Sequence, residues 1–493
     1  MTPANVVALA LLVALPLLAA AAVLGLRLRP ALLGPAALAG LAAELILALR
    51  TATLSLSEPV AAAWTWGPRL TLQLEVAGLS QVMVALIPAI ALPVVLYAWA
   101  SLRSDPSLGR LLALLVAFTG AMELLIVAAD FLTLLIGWEL VGAISWALIA
   151  HEWQDATRPR AALQAFLTTR AGDLGLYAAA GLTLAASGSL QFTALTTVPQ
   201  PALGLIAACV LLAAAAKSAQ LPFSPWLFSA MAGPTPASAL LHSATMVAAG
   251  AYAMARLWPA FESVGWFGPA VAALGLGTAL AGGLVALLQR DAKRVLAAST
   301  SAQYGLMFVA VGAGVPAAAG LHLVAHAAFK ALLFLGAGML MHATGTGDLG
   351  RLRTAAARPR IAVAFGVGIL ALAAVPPLGG AYTKDLILAA AAERGPWLAF
   401  GVLLAGAMSA LYAGRLYLLA IGVRRDAANA PSPYWERAAM AALAALGLAL
   451  GVLWIPGAAS AAADLVGGRL ARSAGWELPA SLLAIALAAA AAW

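Results

Sequence analysis

Apolar runs of about twenty residues recur along the whole chain, separated by short loops that hold most of the charge. Each run is long enough to cross the hydrocarbon layer of a bilayer as one helix. The pattern predicts about fifteen spans, near 4–26, 31–50, 76–101, 108–128, 130–150, 160–186, 201–228, 235–257, 264–288, 292–313, 315–343, 360–394, 396–420, 436–456 and 477–493. Two of them read as broken, each beside a lysine: one at Pro222 and the other at Pro376 with Pro377. Proline removes a donor and breaks a helix, so both spans are expected to be interrupted. Residues 51–75 form the longest early loop, and the alternation of Leu70, Leu72 and Leu74 predicts a short interfacial hairpin. The first run lacks a basic leading segment and is long enough to span, so it reads as a transmembrane helix rather than a signal peptide.

Composition agrees. The chain has 493 residues, of which 9% are charged and 64% hydrophobic; soluble domains carry about 25% charged residues. The expectation is an all-α polytopic membrane protein. A single cysteine, Cys209, rules out a disulfide framework or a cysteine-ligated cluster. No phosphate-binding loop is present, and no G-x-G-x-x-G follows a strand. The net charge of +8 sits in membrane loops and does not imply nucleic acid. Loops after odd-numbered spans hold sixteen Lys and Arg, from Arg27 to Arg437, against six on the other side. That bias predicts the N-terminus outside and the C-terminus in the cytoplasm.

Against this background, ionisable residues inside the spans stand out, since one at the bilayer centre costs about 2.5–3.5 kcal/mol. Glu139 lies in GWELVGAISWALI, and Arg170 and Asp173 lie in FLTTRAGD. The latter two are three residues apart, share a helix face and are expected to pair. Lys217 precedes Pro222 in KSAQLPFSPWLFSAM, and Lys384 and Asp385 follow Pro376 and Pro377 in PPLGGAYTKDLIL. Each broken helix frees backbone carbonyls that are expected to solvate its lysine, and a carboxylate such as Glu139 is expected beside Lys217. Glu123 reads as a second carboxylate near Glu139 or as a residue facing a partner. His242 stands alone in its span, where an interhelical hydrogen bond is as good a reading as proton transfer. His322, His326 and Lys330, in HLVAHAAFK, form one stripe about 12 Å long on a helix. Imidazoles exchange protons near neutral pH, so the stripe suits proton transfer. H-x-x-x-H also suits a metal, but no cysteine or carboxylate stands nearby to complete a site, and neither metal nor cofactor is expected.

The two lysine-and-proline units lie five spans apart. An odd offset makes the second unit the inverse of the first. The expected division is 1–107 (three helices and the hairpin), 108–257 (first five-helix unit, with an inlet half-channel), 258–420 (second, inverted unit, with an exit half-channel) and 421–493 (C-terminal helices).

These same motifs, with RDAKRVLAASTSAQYGLMFVAVG, resemble the antiporter-like L subunit of respiratory complex I over residues 60–425. The wider family includes Mrp-type antiporter subunits, energy-converting hydrogenase subunits and the membrane subunit of Dab-type inorganic carbon uptake systems. The resemblance implies two inverted five-helix bundles joined by a polar axis. It assigns proton transfer to Glu139, Lys217, His242, His322, His326, Lys330 and Lys384, and the T-R-x-G-D pattern favours the L branch over the Mrp branch. The complex I subunit continues into a long lateral helix; this sequence stops at Trp493, so the strap is expected to be missing or the chain to be a shortened paralogue.

The resulting expectation is a proton-translocating membrane subunit of a complex I-like NADH:quinone oxidoreductase. It has no redox centre of its own, and works with other membrane subunits and a soluble energy-supplying partner in a bacterial inner membrane. A Dab-type carbon-uptake subunit and an Mrp-type Na⁺/H⁺ antiporter subunit are the alternatives, and neighbouring genes separate them. A scaffold with a dry, fully paired axis, and a quinone-binding enzyme, are readings of other classes; the missing flavin and metal motifs oppose the last.

Overall fold

The computed structural model describes residues 3–25, 29–67, 70–352, 359–421 and 434–492. Arg27, Arg69, Arg353, Arg358, Arg424 and Arg425, which entered the charge bias, lie outside them. Two helices, α1 (Pro3–Gly25) and α2 (Pro30–Leu54), lead into an antiparallel hairpin of β1 (Val60–Gly67) and β2 (Leu70–Val76). The predicted hairpin is therefore present. It is fastened at Asp130, whose carboxylate accepts from the Gln73 amide at 2.6 Å and from Thr133 N at 2.8 Å. The second of these bonds caps the helix that begins at Phe131.

Next come α3 (Leu79–Ser101), α4 (Leu108–Ile126), α5 (Phe131–Ile149), α6 (Thr157–Ser187), α7 (Gln200–Lys217) and the short α8 (Pro225–Ser229). They are followed by α9 (Thr235–Ser243), α10 (Met246–Phe261), α11 (Phe267–Leu288), α12 (Ala292–Gly312) and α13 (Pro316–Thr344). The rest is α14 (Pro359–Leu372), α15 (Gly379–Arg394), α16 (Pro396–Ile421), α17 (Tyr434–Ala449), α18 (Pro456–Leu465) and α19 (Glu477–Ala492). Among the described residues eleven helices are long and apolar enough to cross a membrane. The apolar stretches of α12 and α13 are 100% buried, against 28% for α1, so α12 and α13 form the centre of the bundle.

Both proline breaks occur, and they share one backbone pattern. After α7, Ala219 takes a left-handed φ of 50° and the Gln220 amide donates to Ala215 O at 2.8 Å. After α14, Ala374 takes a φ of 64° and the Val375 amide donates to Leu370 O at 2.9 Å. A third interruption was not foretold. The single span expected over 235–257 divides into α9 and α10 at Ala244 and Thr245. Thr245 has φ −124° and ψ −105°, and its hydroxyl donates to Leu240 O at 2.5 Å. A threonine side chain that takes a helix carbonyl competes with the backbone ladder, and no proline marks the place.

Without a hydrophobic driving force in lipid, helices associate through close packing of small residues. The α11–α12 pair shows this best. A Cβ added at Gly305 would lie 2.5 Å from Gly275 O and 2.7 Å from the Ala279 amide, both fixed backbone atoms. Gly305→Val is thus expected to lower stability by about 1–3 kcal/mol through overpacking. Gly277→Ala, with nothing within 4 Å of its new methyl, should leave it unchanged or slightly higher. Thermal unfolding in detergent, followed by circular dichroism, compares them; equal loss in both variants would contradict the packing account.

Candidate functional site

The site begins where α5, α6 and α7 meet. Gly172 and Gly175 let α6 lie against α7: a Cβ at Gly172 would fall 2.1 Å from Ala216 Cβ, and one at Gly175 2.4 Å from Cys209 O. This contact brings Asp173 to Lys217. The Lys217 ammonium is 3.3 Å from Asp173 Oδ2 and donates to Trp138 O at 3.3 Å. Asp173 Oδ1 accepts from the Trp138 indole at 2.5 Å. Lys217 is 0% and Asp173 2% exposed, so water does not screen the pair.

Two expectations are corrected here. Asp173 pairs with Lys217, not with Arg170, and the carboxylate beside Lys217 is Asp173, not Glu139. Arg170 and Glu139 form a separate ion pair farther out, with 34% and 19% of their side chains exposed. On α5, adjacent residues are turned about 100° apart, so Trp138 faces inward and Glu139 faces outward. On α6, the long Arg170 side chain extends to the outer rung while the short Asp173 stays on the inner one. Three-residue spacing permits a pair within one helix, but partners on a neighbouring helix won both groups.

The expected solvation of Lys217 by its own broken helix is also corrected. Helix side chains lean toward the N-terminus, whereas freed carbonyls project from the C-terminal end. Lys217 is the last residue of α7 and leans away from them. The Trp226 indole takes Ala216 O at 2.9 Å, and the Ser301 hydroxyl takes Ala219 O at 2.6 Å. Lys384 lies beyond its break, in the second turn of α15, and leans back onto it. Its ammonium donates to Leu372 O at 2.5 Å and to the Ser409 hydroxyl at 2.7 Å, as the sequence led one to expect. Pro222 and the pair Pro376 and Pro377 therefore occupy matching breaks, but the two lysines sit on opposite sides of them.

A buried polar row runs from His242 to Lys384. His242, His322, His326 and Lys330 are each 0% exposed. His242 ends α9 against the Phe334 ring, with centroids 5.3 Å apart, and neither ring nitrogen has a hydrogen-bond partner among the described residues. The neighbouring Ser243 carbonyl lies 3.2 Å from His326 Nδ1 and accepts from the Tyr304 hydroxyl at 3.1 Å. The rings of His326 and His322 are 6.5 Å apart. His322 Nδ1 lies 2.8 Å from the Thr383 hydroxyl, next to Lys384, and its Nε2 lies 3.1 Å from Gln303 Oε1. Lys330 donates to the Ser299 hydroxyl. The stripe read from i, i+4 and i+8 spacing is thus a physical row on α13, completed by α9, α12 and α15. At the Lys384 end, a cavity of about 30 Å³ lies among α15, α16 and α19, touching Leu306, Gly406 and Ser481. That is room for about one water molecule.

Glu123 is corrected as well. It is wholly buried, so it faces no partner, and it sits beside Glu44 of α2 rather than Glu139. Asp385 lies near Glu477, at the start of α19. Sequence reading passed over Glu44, Trp138, Gln303, Ser299 and Ser409. Glu44 is an acid inside an apolar run and was findable by the rule that found Glu139; the others are ordinary residues whose roles come only from their neighbours. No group of three or more His, Cys, Asp or Glu side chains among the described residues is disposed to hold a metal.

Residues 128–409 match the family described as NADH:quinone oxidoreductase/Mrp antiporter, transmembrane. The chain is 37% identical over 363 residues to the NADH-quinone oxidoreductase subunit L of Campylobacter jejuni, covering 72% of this chain and 61% of that one. It is 38% identical over 375 residues to subunit L of Mycobacterium tuberculosis, covering 72% and 59%. It therefore spans about three fifths of the length of these curated relatives. Among solved structures, a chain of the Mrp complex from Dietzia sp. superposes with a TM-score of 0.88 at 29% identity, over 98% of this chain and 55% of that one. A chain of the archaeal membrane-bound sulfane sulfur reductase superposes at 0.82 over 98% and 99%, and at 21% identity speaks for the fold alone. With more than half its length matched by the family and its buried Lys, Asp and His row in place, the chain belongs to the NADH:quinone oxidoreductase/Mrp antiporter transmembrane family.

Proposed function

We propose that this chain is a proton-translocating membrane subunit of a complex I-like NADH:quinone oxidoreductase assembly. The observation that carries the reading is the unscreened Lys217–Asp173 pair at the end of a broken helix, in one bundle with a buried row that reaches Lys384. An ammonium held by one carboxylate in an apolar setting keeps its proton while the carboxylate stays, and gives it up when the carboxylate moves or is neutralised. Such a pair is a loading device. Protons enter from the Glu139–Arg170 rung to Lys217, cross by His242, Lys330, His326 and His322, and leave at Lys384.

The partly exposed Arg170, with 34% of its side chain open, supports the presence of a neighbouring subunit. A guanidinium partly open on a membrane helix is costly in lipid and cheap against a polar partner. The relatives' names point to an NADH-quinone oxidoreductase complex, and a soluble partner that supplies energy is part of the proposal; an Mrp-type Na⁺/H⁺ antiporter subunit, favoured by the Mrp-complex neighbour, or a Dab-type carbon-uptake subunit is the alternative. Purification from the native membrane separates these by what comes with the chain.

The proposed division is 1–107, 108–257, 258–420 and 421–493, with the two middle units as inverted repeats. The matching backbone at Ala219 and Ala374 supports it. So does a second match: Asp173 and Lys330 each stand fifteen residues before the left-handed glycine that ends its helix, Gly188 and Gly345. An acid in one unit then answers a base in the other. The proposed setting is a bacterial inner membrane with the N-terminus outside. In support, the loops after α3, α5, α11 and α13 converge on one cavity of about 910 Å³, where Ser101, Arg158, Lys293 and Gly345 meet.

Lys217→Ala or Lys384→Ala should abolish proton uptake by proteoliposomes under an imposed membrane potential, with elution and helicity unchanged; full uptake in both variants would defeat the proposal. Asp173→Asn leaves a buried ammonium without its counter-charge. Breaking such a pair typically costs about 3–5 kcal/mol, so a clear drop in thermal midpoint is expected, larger than for the partly exposed Glu139→Gln. For orientation, Cys209→Ser with one new cysteine at Ser104 or at Ser263 allows labelling of intact cells by a charged thiol reagent. Only the Ser263 position should react.

A further inference from the structure

Away from the central row, the face where α2 meets α4 buries two carboxylates. Glu44 and Glu123 are both 0% exposed. Thr119 stands one turn before Glu123 on the same side of α4. Its hydroxyl lies 2.7 Å from Val116 O and 3.3 Å from Glu44 Oε2, and its one proton serves one of them at a time. Three further oxygens, Glu44 Oε1 and both of Glu123, are buried with no hydrogen-bond partner among the described residues. Buried polar atoms are almost always partnered, so three left over in one place call for an occupant.

No cation among the described residues supplies it. Helices α1, α2, α3, α5 and α10 pack against α4. Helix α1 carries no titratable side chain among its described residues. On α2, Arg50 is exposed two turns beyond Glu44. On α3, the described residues hold no Lys, Arg or His. On α5, Glu139 is held by Arg170. On α10, Arg256 and Tyr252 donate to Ile126 O near the end of α4, and Arg256 also faces Glu75. On α4 itself, Arg110 donates to His151 O, three turns and more away. The charge that faces Glu123 is Glu44. Two adjacent carboxylates in an apolar setting cannot both stay ionised.

The pair also has a defined depth. Helices α4 and α5 run antiparallel and touch where a Cβ on Gly137 would lie 2.7 Å from the Leu125 amide. Two residues onward on α5 is Glu139, and two residues back on α4 is Glu123. The two acids stand at the same level, one on each side of the α4–α5 layer.

We propose that Glu44 and Glu123, with the Thr119 hydroxyl, form a binding site for one monovalent cation, a proton or a sodium ion, separate from the central row. With a proton, one carboxyl donates to the other; with sodium, the free carboxylate oxygens and Thr119 Oγ1 coordinate it. The site does not depend on the central row being conductive.

Infrared difference spectroscopy of the purified full chain tests this at neutral pH in sodium-free buffer, by comparison of the parent protein with Glu123→Gln. A carbonyl-stretch band of a protonated carboxylic acid should be present in the parent and lost in the variant. Glu44→Gln gives the same loss and serves if Glu123→Gln does not fold. Sodium chloride, but not choline chloride, should abolish the parent band if sodium is the natural occupant; an indifferent band assigns the site to a proton. Spectra of the parent and both variants that coincide in this region would overturn the proposal, because both carboxylates would then be ionised.

Discussion

A bilayer core offers no hydrogen bonds, so every backbone or side-chain polar group released inside it has to be met by the protein. The interrupted helices of this chain are governed by that requirement. Ala216 O and Ala219 O, set free where α7 stops, are taken by Trp226 and Ser301. Leu372 O, set free where α14 stops, is taken by Lys384 and approached by Ser409. The two breaks have one backbone geometry, yet one leaves its lysine free to reach a carboxylate and the other ties its lysine to backbone.

From that difference follows an electrical asymmetry. Lys217 is compensated by a full negative charge, Asp173, in an unscreened place. Lys384 has only dipoles, a carbonyl and a hydroxyl. Lys330 likewise donates to a hydroxyl, that of Ser299. A full charge partner is thus present at Lys217, and dipoles at Lys330 and Lys384. On the proposed path a positive charge would leave a strong attractor and meet weaker ones, so the local partners of each site would set where it rests.

The outer rung adds a second layer. Glu139 and Arg170 lie beside the inner pair in sequence, but they face the lateral surface and neutralise each other there. Helices α5 and α6 thus carry two ion pairs back to back, one with its arginine partly exposed and one sealed. The seal comes from small residues: Gly172 and Gly175 let α6 approach α7 closely enough to exclude anything between them.

The sequence alone settled the membrane class, the hairpin, both proline breaks and nearly every residue of the buried row. These are one-dimensional signals: hydrophobic run length, a missing amide hydrogen, and charge where charge is costly. The i, i+4, i+8 stripe of His322, His326 and Lys330 was legible for the same reason, since one helix fixes it. What the sequence left undecided was pairing between helices. Asp173 went to Lys217 and Arg170 to Glu139, although spacing within α6 favoured joining them, because side-chain length and helix rotation decide which neighbour each group reaches. The break at Thr245 came from a hydroxyl reaching Leu240 O, and the meeting of Glu44 with Glu123 from packing of helices 79 residues apart in the chain. Such contacts are settled by how the helices turn toward one another, and only the tertiary structure contains that.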